Sequence, residues 1–178
     1  ALEKFKEIKL IPMIAISYSD IATISYYNEN YKQAAEYWEK SIQLDESIGK
    51  KNRMANNLSN LGIAYIEDGN LSKAETSLMK ALSLSNEIKD DAIKASTHVN
   101  LTKLEYSKKN YKKAIEYNNL AAAYYESVKK YSTLSNVYSN GAELARTGKE
   151  YKIALQYIDK AFETAKHTEN KTSFHALY

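Results

Sequence analysis

Asp20, Asn60, Asn100 and Asn140 recur at a constant spacing of 40 residues. A carboxamide carries one acceptor oxygen and two N–H donors, so it can hold a peptide group by its C=O and N–H together. A column of such amides would read the main chain of an extended peptide without regard to its side chains. The same amides could instead hydrogen-bond to neighbouring parts of the fold, since Asn is abundant throughout this chain. His98, Glu105 and Asn118 form a second polar group. His98 and Glu105 stand seven residues apart, which in a helix places them on one face, about 10 Å apart along the axis. Asn118, from a partner helix, could lie between them. If buried, such groups must be paired. They read either as a polar network with a role in ligand sensing or pH response or, more plainly, as a locally wetter and weaker stretch.

Catalytic chemistry finds little to work with. Cys is absent, which removes disulfides, thiolate zinc sites and cysteine nucleophiles. The histidines are His98, His167 and His175, and no HExxH spacing links them, so no metal site is expected. His167 and His175 are eight apart but straddle an expected inter-helix turn. Gly148-Lys149-Glu150 lacks the preceding glycine and following Ser/Thr of a phosphate loop. Glu36 and Glu39 fall on solvent faces, and Asp90-Asp91 opens a helix, where negative charge is favoured. The Asn-x-Ser/Thr matches, Asn57 and Asn70 among them, follow from so much Asn and Ser. The expectation is a protein with no enzymatic activity, cofactor or metal.

Composition bounds the class. The chain has 178 residues, 44% hydrophobic and 26% charged, enough for one domain with a sizeable core. Five glycines and one proline are too few for turn-rich sandwiches, barrels or glycine-rich nucleotide folds, and favour helices. The net charge of +3 is too small for a dedicated nucleic-acid binder; the lysines at 108–113 and 129–130 read as a solvated face. No signal peptide and no run of 18 apolar residues is seen, so no membrane contact is expected. Lys, Asn, Ile and Tyr, residues of AT-rich codons, point to an AT-rich bacterial genome. Cytoplasm and periplasm both stay open. A start at Ala1 without Met, and an end inside a helical pattern, suggest a piece of something longer.

In rows of 40, the segments from Tyr31, Leu71, Tyr111 and Tyr151 read YKQA, LSKA, YKKA and YKIA. Ala34, Ala74, Ala114 and Ala154 align. So do the small residues Ser41, Ala81, Ala121 and Ala161, and Ala22, Gly62, Thr102 and Ala142. Helical periodicity places helices near 12–27, 31–48, 52–67, 71–88, 92–107, 111–129, 132–147 and 151–168, with Pro12 in a first turn. The expected organisation is a single array: the end of a preceding repeat at 1–10, hairpins at 12–50, 52–90, 92–130 and 132–170, and a further helix starting at 171–178. Small residues let paired helices approach where they cross, beside fillers such as Trp38, Leu78 and Ile158. Tyr31, Tyr111 and Tyr151, with Tyr37, Tyr117 and Tyr157, are packing positions repeated with the motif.

The run Leu58, Leu61-Gly62, Tyr65, Ala74, Leu78 and Ala81 resembles the tetratricopeptide repeat, and the other rows follow it more loosely. The usual repeat is roughly 34 residues. The surplus here falls at 48–51 and 88–91, so longer helices are expected, as in kinesin-light-chain-like proteins and many bacterial regulators. The resemblance implies an all-α fold, a right-handed superhelical solenoid of antiparallel helix pairs, with the first helix of each pair facing a concave groove.

It also implies that the position before Leu-Gly, occupied by Asp20, Asn60, Asn100 and Asn140, points into that groove as an asparagine ladder gripping an extended peptide. Thr23, Ile63, Lys103 and Glu143, one turn on, and Tyr26, Tyr27, Tyr106 and Arg146 would then supply selectivity. The carboxylate clamp of the family's chaperone adaptors is not expected: of Ser19, Thr23, Asn60, Ser96 and Asn100 at its positions, only Asn60 matches. The implied partner is a protein or peptide segment, with self-association through exposed array ends as a further possibility. The alternative role is a regulatory or dimerisation segment of a larger bacterial signalling protein, a sensor kinase or transcription regulator.

Overall fold

A computed structural model gives the fold. It describes the backbone of residues 2–175 and the side-chain surroundings of residues 10–167. Eight α-helices and no strand are found among the described residues: α1 (Leu2–Tyr27), α2 (Tyr31–Ser47), α3 (Lys51–Glu67), α4 (Leu71–Glu87), α5 (Asp91–Ser107), α6 (Tyr111–Ser127), α7 (Tyr131–Thr147) and α8 (Tyr151–His175).

All seven connections are the same three-residue turn. The middle residue is left-handed each time, at Glu29, Gly49, Gly69, Lys89, Lys109, Lys129 and Lys149, with φ between 54° and 78°. The third residue's N–H donates to the carbonyl five positions back, as from Asn30 to Ser25, Asn70 to Tyr65 and Glu150 to Ala145. This 6→1 bond satisfies a helix-end carbonyl and reverses the chain. The accepting residue is buried in all seven cases: Ser25, Asp45, Tyr65, Ser85, Glu105, Tyr125 and Ala145. The 40-residue period is therefore two equal steps of 20, and the surplus over the usual repeat lies in helices of 17 residues. Gly148 stands one place before the left-handed residue, packed so that a Cβ would lie 3.1 Å from Tyr111 Cβ.

Two expected breaks are absent. α1 runs unbroken through Pro12, because one missing N–H removes one intrahelical bond without stopping propagation. α8 continues through 168–171 to His175, in a segment with neither Gly nor Pro, so no turn separates His167 from His175. The side chains of residues 168–178 lie outside those described.

The chain forms two compact units, Ala1–Asn100 and Leu101–Tyr178, with α5 supplying residues to both. In the first, α1 packs on α2, α2 on α3 and α3 on α4. The small-residue crossing is clearest at Gly62, where an added Cβ would sit 2.5 Å from Leu78 Cγ. Trp38 and Leu78 fill the space beside the crossings and are buried. In the second unit α6 packs on α7 and α7 on α8. Gly141 of α7 meets Asn118 of α6 and Tyr157 of α8. Ile158, expected as a filler, is 40% exposed, because no described helix covers that side of α8.

A side chain in the left-handed region costs about 1 kcal/mol relative to glycine. Lys129→Gly is expected to raise unfolding free energy by up to that amount in urea titration, and Gly49→Ala to lower it.

Candidate peptide-binding face

In the first unit, buried polar contacts pin the first-type helices α1, α3 and the start of α5 side by side. Ser19 Oγ donates to Asn57 Oδ1 at 2.8 Å, Asn57 Nδ2 donates to Ser41 Oγ at 2.9 Å, and Ser41 Oγ donates to the Ala15 carbonyl at 2.7 Å. One repeat later Ser59 holds the corresponding place. Its Oγ accepts from Thr97 Oγ1 at 3.2 Å and from Asn100 Nδ2 at 2.9 Å, and its carbonyl accepts from the same amide at 3.2 Å.

This seam sorts the candidate residues. Asp20 and Asn60 are exposed beside it, adjacent in sequence to Ser19 and Ser59. Asn100 is half-buried and its amide is spent on Ser59. Thr23 Oγ1 donates to the Ser19 carbonyl at 2.9 Å, and Ile63 is half-buried. Tyr26 is a packing residue: its ring centroid lies 5.5 Å from that of Tyr31 and 6.0 Å from that of Trp38. Its hydroxyl donates to Glu67 Oε1 at 3.3 Å. Burial, then the Glu67 carboxylate, push that phenol up to about 12. Tyr27 is 78% exposed.

In the second unit Lys103, Tyr106, Asn140, Glu143 and Arg146 are exposed. Arg146 Nε donates to Glu143 Oε2 at 2.8 Å and Nη2 to Oε1 at 2.5 Å. The Arg146 bonds hold the Glu143 carboxyl below its usual range. These two residues therefore present a neutralised pair. Tyr106 packs edge-on against Tyr111 at 5.8 Å.

His98, Glu105 and Asn118 are all buried, which rules out a wet stretch. Glu105 is held by Lys108 at 3.4 Å, Lys113 at 3.3 Å and Asn110 Nδ2 at 3.1 Å. Asn118 is pressed against Gly141 and Tyr157, where Tyr157 donates to Asn119 Oδ1 at 2.6 Å. Burial, then the nearby Lys94, lower the His98 pKa from its usual value.

The 40-residue period by itself missed the Ser19–Asn57–Ser41 seam. It also missed the ion pair between fully buried Asp45 and Arg53, whose Nε donates to Asp45 Oδ1 at 2.8 Å. The seam's signal is small polar residues 38 apart, at 19 and 57 and again at 59 and 97. The pair's signal is one of two arginines, eight residues after an aspartate. Among the described residues no group of three His, Cys, Asp or Glu could hold a metal, and no helix is long and apolar enough to cross a membrane.

The structure repeats one helical hairpin, the architecture of helical-repeat arrays. The family model for the tetratricopeptide repeat matches residues 13–87 and 53–127, more than half of the sequence: the chain belongs to the tetratricopeptide repeat family, and its fold class is the all-α helical-repeat solenoid. Three solved structures are similar in fold. BtubC (BKLC) from P. vanneervenii matches at 20% identity over 87% of this chain, with a TM-score of 0.79. A Signal Transduction ATPase with Numerous Domains protein from Pyrococcus horikoshii, described as having a tetratricopeptide repeat sensor, matches at 22% over 94%, with 0.81. The apo form of RapI matches at 20% over 94%, also with 0.81. The chain spans 64%, 26% and 63% of those three proteins. No curated protein matches it by sequence.

His98 gives the region a pH dependence with a definite sign. Its folded pKa lies below the unfolded value near 6.5. As pH falls, the unfolded chain binds the proton first, so stability present above about pH 6.5 is lost progressively below it. Chemical denaturation at a series of pH values from about 7 to about 5 is expected to show this decline. His98→Gln should flatten it; an unchanged slope contradicts the assignment.

Proposed function

We propose that the chain is a peptide-binding scaffold whose first-type helices hold an extended segment of a partner protein by its main chain. The observation that carries this reading is the exposure of Asn60 and Asn140 at one repeat position, each with a carboxamide able to donate to and accept from one peptide group. Asp20, at the same position on α1, would accept from a peptide N–H only. Ile63 in the first unit, and Lys103 and Tyr106 in the second, would contact partner side chains. The ladder is narrower than the period suggests, since Asn100 braces α5 against α3 through Ser59.

A second reading, a regulatory segment of a larger signalling protein, is supported by the fold likeness to an array described as a sensor within a longer protein.

A peptide selected from a random library on the intact protein provides the probe. Asn60→Ala and Asn140→Ala should each weaken it about tenfold, the loss of roughly one peptide-group grip, with helix content unchanged by circular dichroism. Asn100→Ala should instead lower stability by about 1 kcal/mol. Full affinity in the Asn60→Ala, Asn140→Ala double variant would remove the ladder.

A further inference from the structure

Inside the first unit α2, α3 and α4 line a cleft of about 360 Å³, with Ile42, Leu58, Leu61, Tyr65, Ser77 and Lys80 among its residues. Two of these lack what their repeat counterparts carry. Tyr37, Tyr117 and Tyr157 hold the position of Ser77, and Tyr18 and Tyr138 that of Leu58. In the α1–α2 hairpin the rings of Tyr18 and Tyr37 lie 5.8 Å apart, and Lys40 Nζ stands 4.9 Å from the Tyr37 ring and 5.9 Å from that of Tyr18. In the α7–α8 hairpin the rings of Tyr138 and Tyr157 lie 6.2 Å apart, with Lys160 Nζ 5.4 Å from Tyr138. The α3–α4 hairpin keeps the lysine, as Lys80, but has Leu58 and Ser77 where the two rings would be.

Two groups are left unmet. Lys80 is exposed and covers no ring among the described residues, unlike Lys73 of the same helix, whose Nζ stands 5.2 Å from the Tyr65 ring. Ser77 is only 7% exposed, and its hydroxyl, which lines the cleft, has no hydrogen-bond partner among the described residues. A buried hydroxyl without a partner is unfavourable. Tyr65 does not make up for the missing rings: its hydroxyl donates to Glu39, and the cleft stays open beside it. A ring laid on Leu58 would sit under the Lys80 ammonium as the Tyr18 ring sits under Lys40, with its tip at Ser77.

From this pattern we infer that the cleft receives a tyrosine side chain of a partner protein, its ring between Leu58 and the Lys80 ammonium and its hydroxyl hydrogen-bonded to Ser77 Oγ. Tyrosine answers each feature of the cleft. Its ring face attracts an ammonium, its ring buries apolar area against leucine, and its hydroxyl can donate to or accept from that of Ser77. This contact goes beyond main-chain reading and does not rest on it, since it uses neither Asn60 nor Asn140.

The test is selection of peptides from a random library on the full chain, with counter-selection on Ser77→Tyr, which places in the cleft the ring that Tyr157 supplies in the second unit. Unchanged circular dichroism will show that this variant folds; Lys80→Glu, at an exposed position, serves for a second counter-selection. Peptides that bind the wild type and neither variant should carry a tyrosine. Replacing that tyrosine by leucine should weaken binding about tenfold or more, and by phenylalanine about fivefold, through the lost bond to Ser77. Lys80→Gln should weaken it about threefold, the loss of one cation–π contact. Affinity should be unchanged in the Asn60→Ala, Asn140→Ala double variant. Enrichment of peptides without tyrosine, or recovery of none that distinguishes the wild type from the variants, overturns the inference. Lost affinity in the double asparagine variant would assign these peptides to the asparagine face and overturn it as well.

Discussion

A backbone turn that recurs every twentieth residue sets the frame on which the described side chains are placed. Because its middle residue is left-handed and its third N–H always bonds five residues back, each of α2 to α7 is stopped at 17 residues. Residues 40 apart therefore hold the same place in their helices, although their contacts differ with their neighbours, as Asn60 and Asn100 show. The turn holds although five of its seven left-handed residues carry side chains, each at a cost glycine would not incur. The 6→1 bond and the burial of the residue that accepts it outweigh that cost.

On this frame α1, α3 and the start of α5 are joined by hydroxyls and amides as well as by apolar packing. The seam at Ser19, Asn57 and Ser41, repeated in altered form at Ser59, Thr97 and Asn100, is directional. A slip of one residue would leave buried donors and acceptors unpaired, at about 1–3 kcal/mol for each group. The seam thus fixes register, and by lying next to Asp20 and Asn60 it fixes what those residues present. The buried Asp45 held by Arg53 is a pair of another kind, tying the end of α2 to the start of α3.

The helices were legible in the sequence because period, small residues and polar turns agreed. The boundaries of α2 to α7 fall within two residues of those expected from periodicity. What failed was the assumption that the rhythm must also break the chain near residues 11 and 169. Pro12 is a weak stop, and 168–172 holds no breaker. The candidate site was half legible. A constant spacing marked Asn60, Asn100 and Asn140 alike, yet Asn100 turns to the neighbouring repeat. The reason lies three residues earlier. Asn57 is long enough to reach from Ser19 to Ser41, while Thr97 is short and bonds Ser59, where Asn100 joins it. Tyr26 likewise reads as a contact residue from its position, but the rings of Tyr31 and Trp38 and the Glu67 carboxylate claim it.

Under the proposed function, exposed amides read a partner's main chain. Replacing single peptide N–H groups of the selected peptide by N-methyl, and measuring affinity by titration calorimetry, tests that directly. If the amides grip the backbone, N-methylation at the contacted residues should lower affinity about tenfold or more, the loss of one to two hydrogen bonds. Exchange of side chains at those residues should cost less. Full affinity in every N-methylated peptide, with strong sensitivity to side-chain exchange, would show that side chains carry recognition and would contradict the claim.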